Sequence, residues 1–425
     1  MAESSNPSRQ KRRDLRRQRR RIKASKSFNW FLRGVLRRIF QWLFRLEAEN
    51  SELFQTLKPP FVVMPNHQSA VDPFFVNVFV PAPIHYVVSD SNFRSRLLSF
   101  GLGLVGSIPK TKAVSDLETV KNIVKVKAKK GIIGIYPEGQ NTWDGATLPL
   151  IPATAKMLKS LKIPVVVAKV QGAFLSMPRW ARRLRRGRVR ITYFQGFSVD
   201  ELKRLSTEEI GDKLEEYLFH DEFAFQERVN WQFRSKRRAE YLEIVLFRCP
   251  ECRSMNSLAS EGNTLECIHC GYRVTMAPNG FFRRSEGHLH FDTLLAWNRW
   301  QTDELRGLLD ENSRYFREKP VFTEGDVLLE KGFKSLPLRS LGAGSLELYS
   351  DRLCFVDEAT GRRWDFSMGE IEGINVQNNE NLEFYHRESL FRIKNRNRRG
   401  NSYKYYAAVR HLRSRTAEVD EDAAV

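Results

Sequence analysis

Cysteine is scarce, with five residues in a chain of 425. Four of them stand in two C-x-x-C pairs, a usage that argues against a disulfide-stapled secreted scaffold. Long apolar runs are lacking too. Arginines interrupt every hydrophobic stretch near the N-terminus and no small-residue cleavage site follows, so neither a secretory signal nor a membrane-spanning helix is expected there. No internal repeat is evident, which sets solenoids and propellers aside. Acidic residues are in deficit: 50 Asp and Glu face 70 Lys and Arg, giving a net charge of +20 and a pI near 9.8. A chain this basic calls for an anionic partner, and nucleic acid and anionic membrane are the two obvious classes. The 41% apolar content is ordinary for globular protein, and the length suits two or three domains.

The positive charge is uneven. Residues 1–26 hold Lys11-Arg12-Arg13, Arg16-Arg17 and Arg19-Arg20-Arg21 against only Glu3 and Asp14, and read as a basic disordered tail. Residues 27–48 follow as an amphipathic helix. Arg33, Arg37, Gln41 and Arg45 recur every four residues, while Phe28, Phe31, Leu32, Val35, Leu36, Ile39, Phe40, Leu43 and Leu46 cover the rest. Such a helix is expected to lie in a membrane interface, each basic residue near an anionic surface contributing about 1 kcal/mol before screening. The same stripe also suits a helix docked on a core with a solvated basic face. A second cluster, Arg179, Arg182, Arg183, Arg185, Arg186, Arg188 and Arg190, suits either a phosphate entrance or a solvated helix and turn.

The chemistry-bearing motif is Asn66-His67-Gln68-Ser69-Ala70-Val71-Asp72. A histidine can take a proton from an alcohol, and a carboxylate five positions on can hold the imidazole in the useful tautomer. His67 follows the apolar run Pro60-Phe61-Val62-Val63-Met64, which reads as a buried strand, so the pair is expected at a strand's carboxyl end. Gly131-Ile132-Ile133-Gly134-Ile135-Tyr136 reads as a second buried strand, closed by Pro137-Glu138-Gly139.

These strand-end motifs resemble the glycerolipid acyltransferase family, which includes lysophosphatidic acid acyltransferases. The resemblance covers roughly residues 50 to 200, with four blocks in the family's order. They are His67 with Asp72, the basic Gly106-Ser107-Ile108-Pro109-Lys110-Thr111-Lys112, Pro137-Glu138-Gly139, and the proline-led Ile163-Pro164-Val165-Val166-Val167. One departure stands out. The family usually carries an arginine two residues after the glycine, where it is held to grip the acceptor's phosphate, and this chain has Asn141.

From Phe61 to about Val199 short apolar runs alternate with helical stretches, Leu117 to Lys130 and Pro152 to Leu161 reading as crossover helices, a pattern that predicts an α/β domain with a largely parallel sheet. The resemblance implies O-acyl transfer from an acyl thioester, on coenzyme A or acyl carrier protein, to the hydroxyl of a lysophospholipid such as 1-acylglycerol 3-phosphate. His67 is then the base and Asp72 its orienting partner, with no organic cofactor. Glu138 is expected to fix the acceptor, the Gly139 amide to donate to the oxyanion, and Lys110 and Lys112 to supply the phosphate contact that Asn141 lacks. The expected location is peripheral, on the cytoplasmic face of a membrane.

The expected organisation runs from an acyltransferase domain (49–215) through a helical connector (216–247) to a zinc ribbon (248–276). In the ribbon, Cys249-Pro250-Glu251-Cys252 and Cys267-Ile268-His269-Cys270 are fourteen residues apart, a spacing that offers four thiolates to one structural zinc. After a second connector (277–335), residues 336–413 alternate as short strands and end in a helix from Ser402 to Leu412, a pattern resembling a pleckstrin-homology or GRAM-like barrel. Its candidate head-group ligands are Lys394, Arg396, Arg398 and Arg399, and residues 414–425 are read as a disordered acidic tail. Two other functions fit parts of the chain: a zinc-ribbon nucleic-acid-binding protein, and a non-catalytic membrane adaptor. Nucleic acid is not the expected partner, because it leaves the four ordered blocks unexplained.

Overall fold

The computed structural model describes residues 24–111, 117–397 and 399–422, with side chains left aside at residue 26 and beyond residue 415. The basic tail, Lys112 and Arg398 therefore lie outside the described residues, apart from the last positions of the tail. The chain divides into two compact units, the first reaching residue 233 and the second containing residues 234 onward together with 180–183.

The first unit is built on a seven-stranded sheet. Its strands are β1 (Glu47–Glu49), β2 (Phe61–Pro65), β3 (Ile84–Ser89), β4 (Ile108–Lys110), β5 (Ile132–Gly134), β6 (Val165–Gln171) and β7 (Arg190–Phe197). The order is β1-β7-β6-β2-β5-β3-β4, parallel at every junction except β6–β7. Every residue of β2 is buried, as a central parallel strand covered on both faces requires. Alternate side chains serve opposite cores. Phe61 and Val63 pack with Phe44, Phe75 and Tyr193, while Val62 and Met64 pack with Ile123, Leu158 and Leu214. The crossover helices form at Leu117–Ala128 and Ala153–Leu161, close to the expected spans.

The N-terminal helix runs from Lys26 to Phe44, with one π turn at Leu32–Leu36, and stops where Arg45 turns left-handed (φ 43°). It serves two surfaces at once. Leu32 and Phe44 are buried and Leu36, Phe40 and Leu43 pack on the core, while Trp30, Phe31, Val35, Ile39 and Trp42 remain exposed beside Arg37 and Arg38. Among the described residues no helix is long and apolar enough to cross a membrane. The Arg179–Arg190 segment is not a solvated helix. Arg179 and Arg185 are buried, and Arg188 and Arg190 each bond Glu47 at 2.8 Å.

In the second unit, residues 238–242, expected to be helical, form no helix; Tyr241 is left-handed (φ 72°) and a three-residue turn, Leu242–Ile244, follows. Their apolar side chains are core: Ala239, Leu242, Val245 and Leu246 are fully buried. A four-stranded antiparallel sheet comes next, from β8 (Leu258–Glu261), β9 (Thr264–Cys267), β10 (Arg273–Met276) and β11 (Phe282–Arg283). An 18-residue helix, Leu294–Glu311, occupies the middle of the expected second connector.

The C-terminal antiparallel sheet has seven strands. They are β12 (Phe322–Gly332), β13 (Arg339–Leu348), β14 (Arg352–Asp357), β15 (Arg363–Ser367), β16 (Ile371–Gln377), β17 (Asn381–His386) and β18 (Ser389–Asn395), in the order β15-β14-β13-β12-β18-β17-β16. It begins at Phe322 rather than near residue 336. The alternation of β12 is hidden because Gly325 and left-handed Asp326 (φ 54°) shift its register between Glu324 and Val327. The closing helix runs from Ser402 to Asp422, well past Leu412 and into the expected acidic tail.

Candidate active site and candidate metal centre

Asn66 ends β2 by extending the sheet with its side chain: its amide donates to Val170 O at 3.0 Å and its carbonyl accepts from Val170 N at 2.7 Å. This clamp on β6 sets the exit direction of the loop that follows. Asp72 then closes the loop on itself, its Oδ2 accepting the amides of Gln68 (2.6 Å) and Ser69 (2.7 Å). The same oxygen lies 3.1 Å from His67 Nδ1. An oxygen that already accepts two N–H donors acts as a carboxylate acceptor, so Nδ1 carries the proton and the lone pair stays on Nε2. Asp72 is fully buried, and burial raises its carboxyl from the ordinary value against the opposing pull of His67 and the two amides. The His67 side chain keeps 17% exposure, and its ring lies on Tyr136 with centroids 4.1 Å apart.

Glu138 is a brace. One carboxylate oxygen accepts His67 N at 2.6 Å and the other accepts Leu148 N at 2.8 Å, so both are spent on backbone. Burial pushes its carboxyl up to about 8, opposed by those two amides. Gly139, left-handed at φ 73°, turns its N–H back onto Tyr136 O at 3.1 Å. The amide expected to face an oxyanion is thus consumed by its own tight turn.

The segment after Gly139 folds around Thr142, whose N–H donates to His67 O (2.9 Å) and whose hydroxyl donates to Ala146 O (2.6 Å). Gly145 is required there: at φ 95°, a Cβ would lie 3.0 Å from Phe174. Asn141 brings no charge to this loop, but a cation reaches it from elsewhere. Arg179 Nη1 donates to Asn141 O at 2.8 Å and to Gln140 Oε1 at 3.3 Å, and its guanidinium lies 3.6 Å over the Trp143 ring. Its neighbour Met177 accepts a bond from Ser69 in the His67 loop. The sequence offers Arg179 as one member of a basic cluster that suits a phosphate entrance, and no local signal ties it to Asn141. Lys110, by contrast, ends β4, three strands from β2, or about 14 Å at the usual strand spacing.

The four cysteines also meet. Their Sγ atoms all lie within 4.8 Å of one another, with Cys249–Cys270 at 3.7 Å and Cys252–Cys267 at 3.8 Å. A disulfide needs about 2.05 Å, whereas a tetrahedron of sulfurs with 2.3 Å metal bonds has edges of about 3.8 Å. Each knuckle turns in the same way, the residue after its second cysteine being left-handed: Arg253 (φ 60°) and Gly271 (φ 75°). The donor set therefore fits one tetrahedral metal. His269 stays exposed outside it, and Cys354 is buried in β14.

The histidine–aspartate pair thus stands at a strand end, its backbone held by a buried glutamate from the exit of the neighbouring strand. Residues 45–170 match the family model described as Acyltransferase. Over 129 residues the chain is 29% identical to a Caenorhabditis elegans protein named "Putative 1-acyl-sn-glycerol-3-phosphate acyltransferase acl-1", a stretch covering 29% of this chain and 47% of that one. The chain thus spans about half the length of this curated relative. Among solved structures it is similar to the 1-acyl-sn-glycerophosphate (LPA) acyltransferase PlsC from Thermotoga maritima, at 17% identity and a TM-score of 0.41, covering 49% of this chain and 81% of that one.

Proposed function

We propose that the first unit transfers a fatty acyl group from a thioester, on coenzyme A or acyl carrier protein, to the hydroxyl of a lysophospholipid, with 1-acylglycerol 3-phosphate the leading acceptor. The observation that carries this reading is the His67 ring, with Nδ1 committed to Asp72 and Nε2 left basic at a partly exposed strand end. Nε2 takes the acceptor's hydroxyl proton as that oxygen attacks the thioester carbonyl. The carbon–sulfur bond then breaks and the departing thiolate receives the proton from Nε2, so no acyl-enzyme forms. Asp72 orients the ring and stabilises the imidazolium; Glu138 positions the His67 backbone. Arg179, whose guanidinium bonds Asn141 and lies over Trp143, is our candidate for the cation that meets the acceptor's phosphate, and the name of the nematode relative supports that class of acceptor.

The Cys249, Cys252, Cys267 and Cys270 centre is read as structural zinc, since four sulfurs leave no open position for a substrate. Exposed Trp30, Val35, Ile39 and Trp42 beside Arg37 and Arg38 support peripheral docking on an anionic cytoplasmic leaflet. Seven antiparallel strands closed by a helix support a pleckstrin-homology or GRAM-like reading of the C-terminal sheet.

The test is lipid mass spectrometry after incubating purified protein with a panel of lysolipid acceptors and both thioester donors. A diacyl product formed by the wild type and lost in His67→Ala is expected. Absence of any acylated product across the panel overturns the reading.

A further inference from the structure

The first unit ends at Arg179 and resumes at Leu184, and the four residues between, 180–183, belong to the second unit. They are the tip of a loop whose base is closed in the first unit, where the Arg185 N–H donates to Ser176 O at 2.8 Å. The tip is anchored within the second unit. Trp180 is buried, and its indole N–H donates to Arg238 O at 3.3 Å, the partner that a buried indole needs. Arg238 is itself fixed to the β8–β11 sheet, its backbone N–H on Asn263 Oδ1 (2.9 Å) and its Nε–H on Met276 O (2.8 Å). Arg182 is ion-paired with Glu380, in the turn between β16 and β17, and its guanidinium lies 4.4 Å over the Tyr241 ring. The residue just before this tip is Arg179, which bonds Asn141 in the loop that Thr142 ties to His67 O.

We propose that Trp180 and Arg182 are positioning residues of the acyl-transfer site: anchored in the second unit, they hold the Arg179 backbone so that its guanidinium stays on Asn141, ready for the acceptor's phosphate. The inference rests on the reading of Arg179 as the phosphate cation. One peptide unit, about 3.8 Å between Cα atoms, separates Arg179 from the buried Trp180, so the anchor leaves its backbone little slack. An arginine side chain carries large rotamer freedom, and a cation ordered before its ligand arrives spares the ligand that ordering cost. Arg182 acts at one remove, because its own charge is met by Glu380. The second unit thereby contributes to acceptor affinity without supplying a group that touches the acceptor.

The test uses full-length protein and the variants Glu380→Gln, Arg182→Gln, Arg182→Lys and Trp180→Phe, each checked for folding by its melting temperature. Acyl transfer is measured with 1-acylglycerol 3-phosphate and with an uncharged monoacylglycerol as acceptors. Glu380→Gln and Arg182→Gln are expected to raise the KM for the phosphorylated acceptor about three- to tenfold, with kcat and the KM for the uncharged acceptor unchanged. Trp180→Phe, which loses the indole donor, should do the same, and Arg182→Lys, which keeps the ion pair, should restore the wild-type KM. Glu380→Gln separates positioning from direct contact, since releasing Arg182 would lower that KM if Arg182 itself held the phosphate. A second readout needs no substrate: amide hydrogen exchange across residues 140–146 and 176–185 should be faster in Glu380→Gln and Arg182→Gln. Unchanged exchange in the folded variants, an unchanged or lowered KM in Glu380→Gln, or a loss shared equally by both acceptors overturns the proposal. Faster exchange in the variants of a protein that acylates no acceptor supports the anchoring and overturns the acyl-transfer reading instead.

Discussion

His67 and Asp72 divide their labour through a single oxygen. Because Asp72 Oδ2 accepts the Gln68 and Ser69 amides and the His67 Nδ1–H together, Asp72→Asn would present an amide where the ring needs an acceptor and move the proton to Nε2. We expect His67→Ala to lower acyl transfer by at least about a hundredfold and Asp72→Asn nearly as much, measured as turnover on folded protein. Glu138→Gln would set an amide N–H against a backbone N–H at His67 or Leu148 and should cost about 1–3 kcal/mol in denaturant unfolding. It should also change the pH profile. The Glu138 carboxyl sits at about 8 when folded, above its ordinary value of 4.5, so the folded state holds the proton more tightly. Its contribution is fully present below the ordinary value and is lost as pH rises through about 8, and Glu138→Gln should lack that decline. Arg179→Gln should raise the KM for a phosphorylated acceptor far more than for an uncharged one. If Lys110→Ala does so instead, the phosphate contact belongs to β4.

At the scale of elements, the N-terminal helix shows why one hydrophobic pattern served two expectations. Phe44 and Leu32 dock it on the core, so removing the helix whole would disturb the fold, whereas Trp30 and Val35 touch solvent and can be changed alone. Trp30→Glu with Val35→Glu is expected to reduce sedimentation with anionic vesicles severalfold while leaving the melting temperature unchanged. Wild-type binding should itself fall as salt rises, because exposed charges are screened over about 10 Å at 0.1 M. In the ribbon, elemental analysis should find one zinc per chain. Cys252→Ser should lower both metal content and the stability of the β8–β11 sheet, since binding and folding are coupled. Zinc-free protein purified without chelator would remove that reading.

Across the whole molecule, the two compact units correspond to two kinds of legibility. Parallel strands buried on both faces announce themselves as apolar runs, so β2, β5 and β6 could be read directly, along with both crossover helices. The second unit was read in pieces. Its long helix at Leu294–Glu311 and the bulged strand β12 fell inside a supposed connector, because their patterns are broken by polar residues that only tertiary contacts satisfy. Gln301 is such a case, buried and bonded to the amide of Phe247 and the carbonyl of Val245.

The sequence by itself determined the His67–Asp72 pairing and the cysteine knuckles. In both, the partners lie within a few residues of each other, where short-range geometry leaves few alternatives. Only the tertiary structure decided the rest. It turned Glu138 from an acceptor ligand into a brace, closed the Gly139 amide into its own turn, and carried Arg179 to Asn141. It also buried Trp180 with its indole N–H on the carbonyl of Arg238, 58 residues on. Each of these depends on where a polar group's hydrogen-bond partners come from, and a buried group must take them from whichever strand or loop the packing brings near, however distant in sequence.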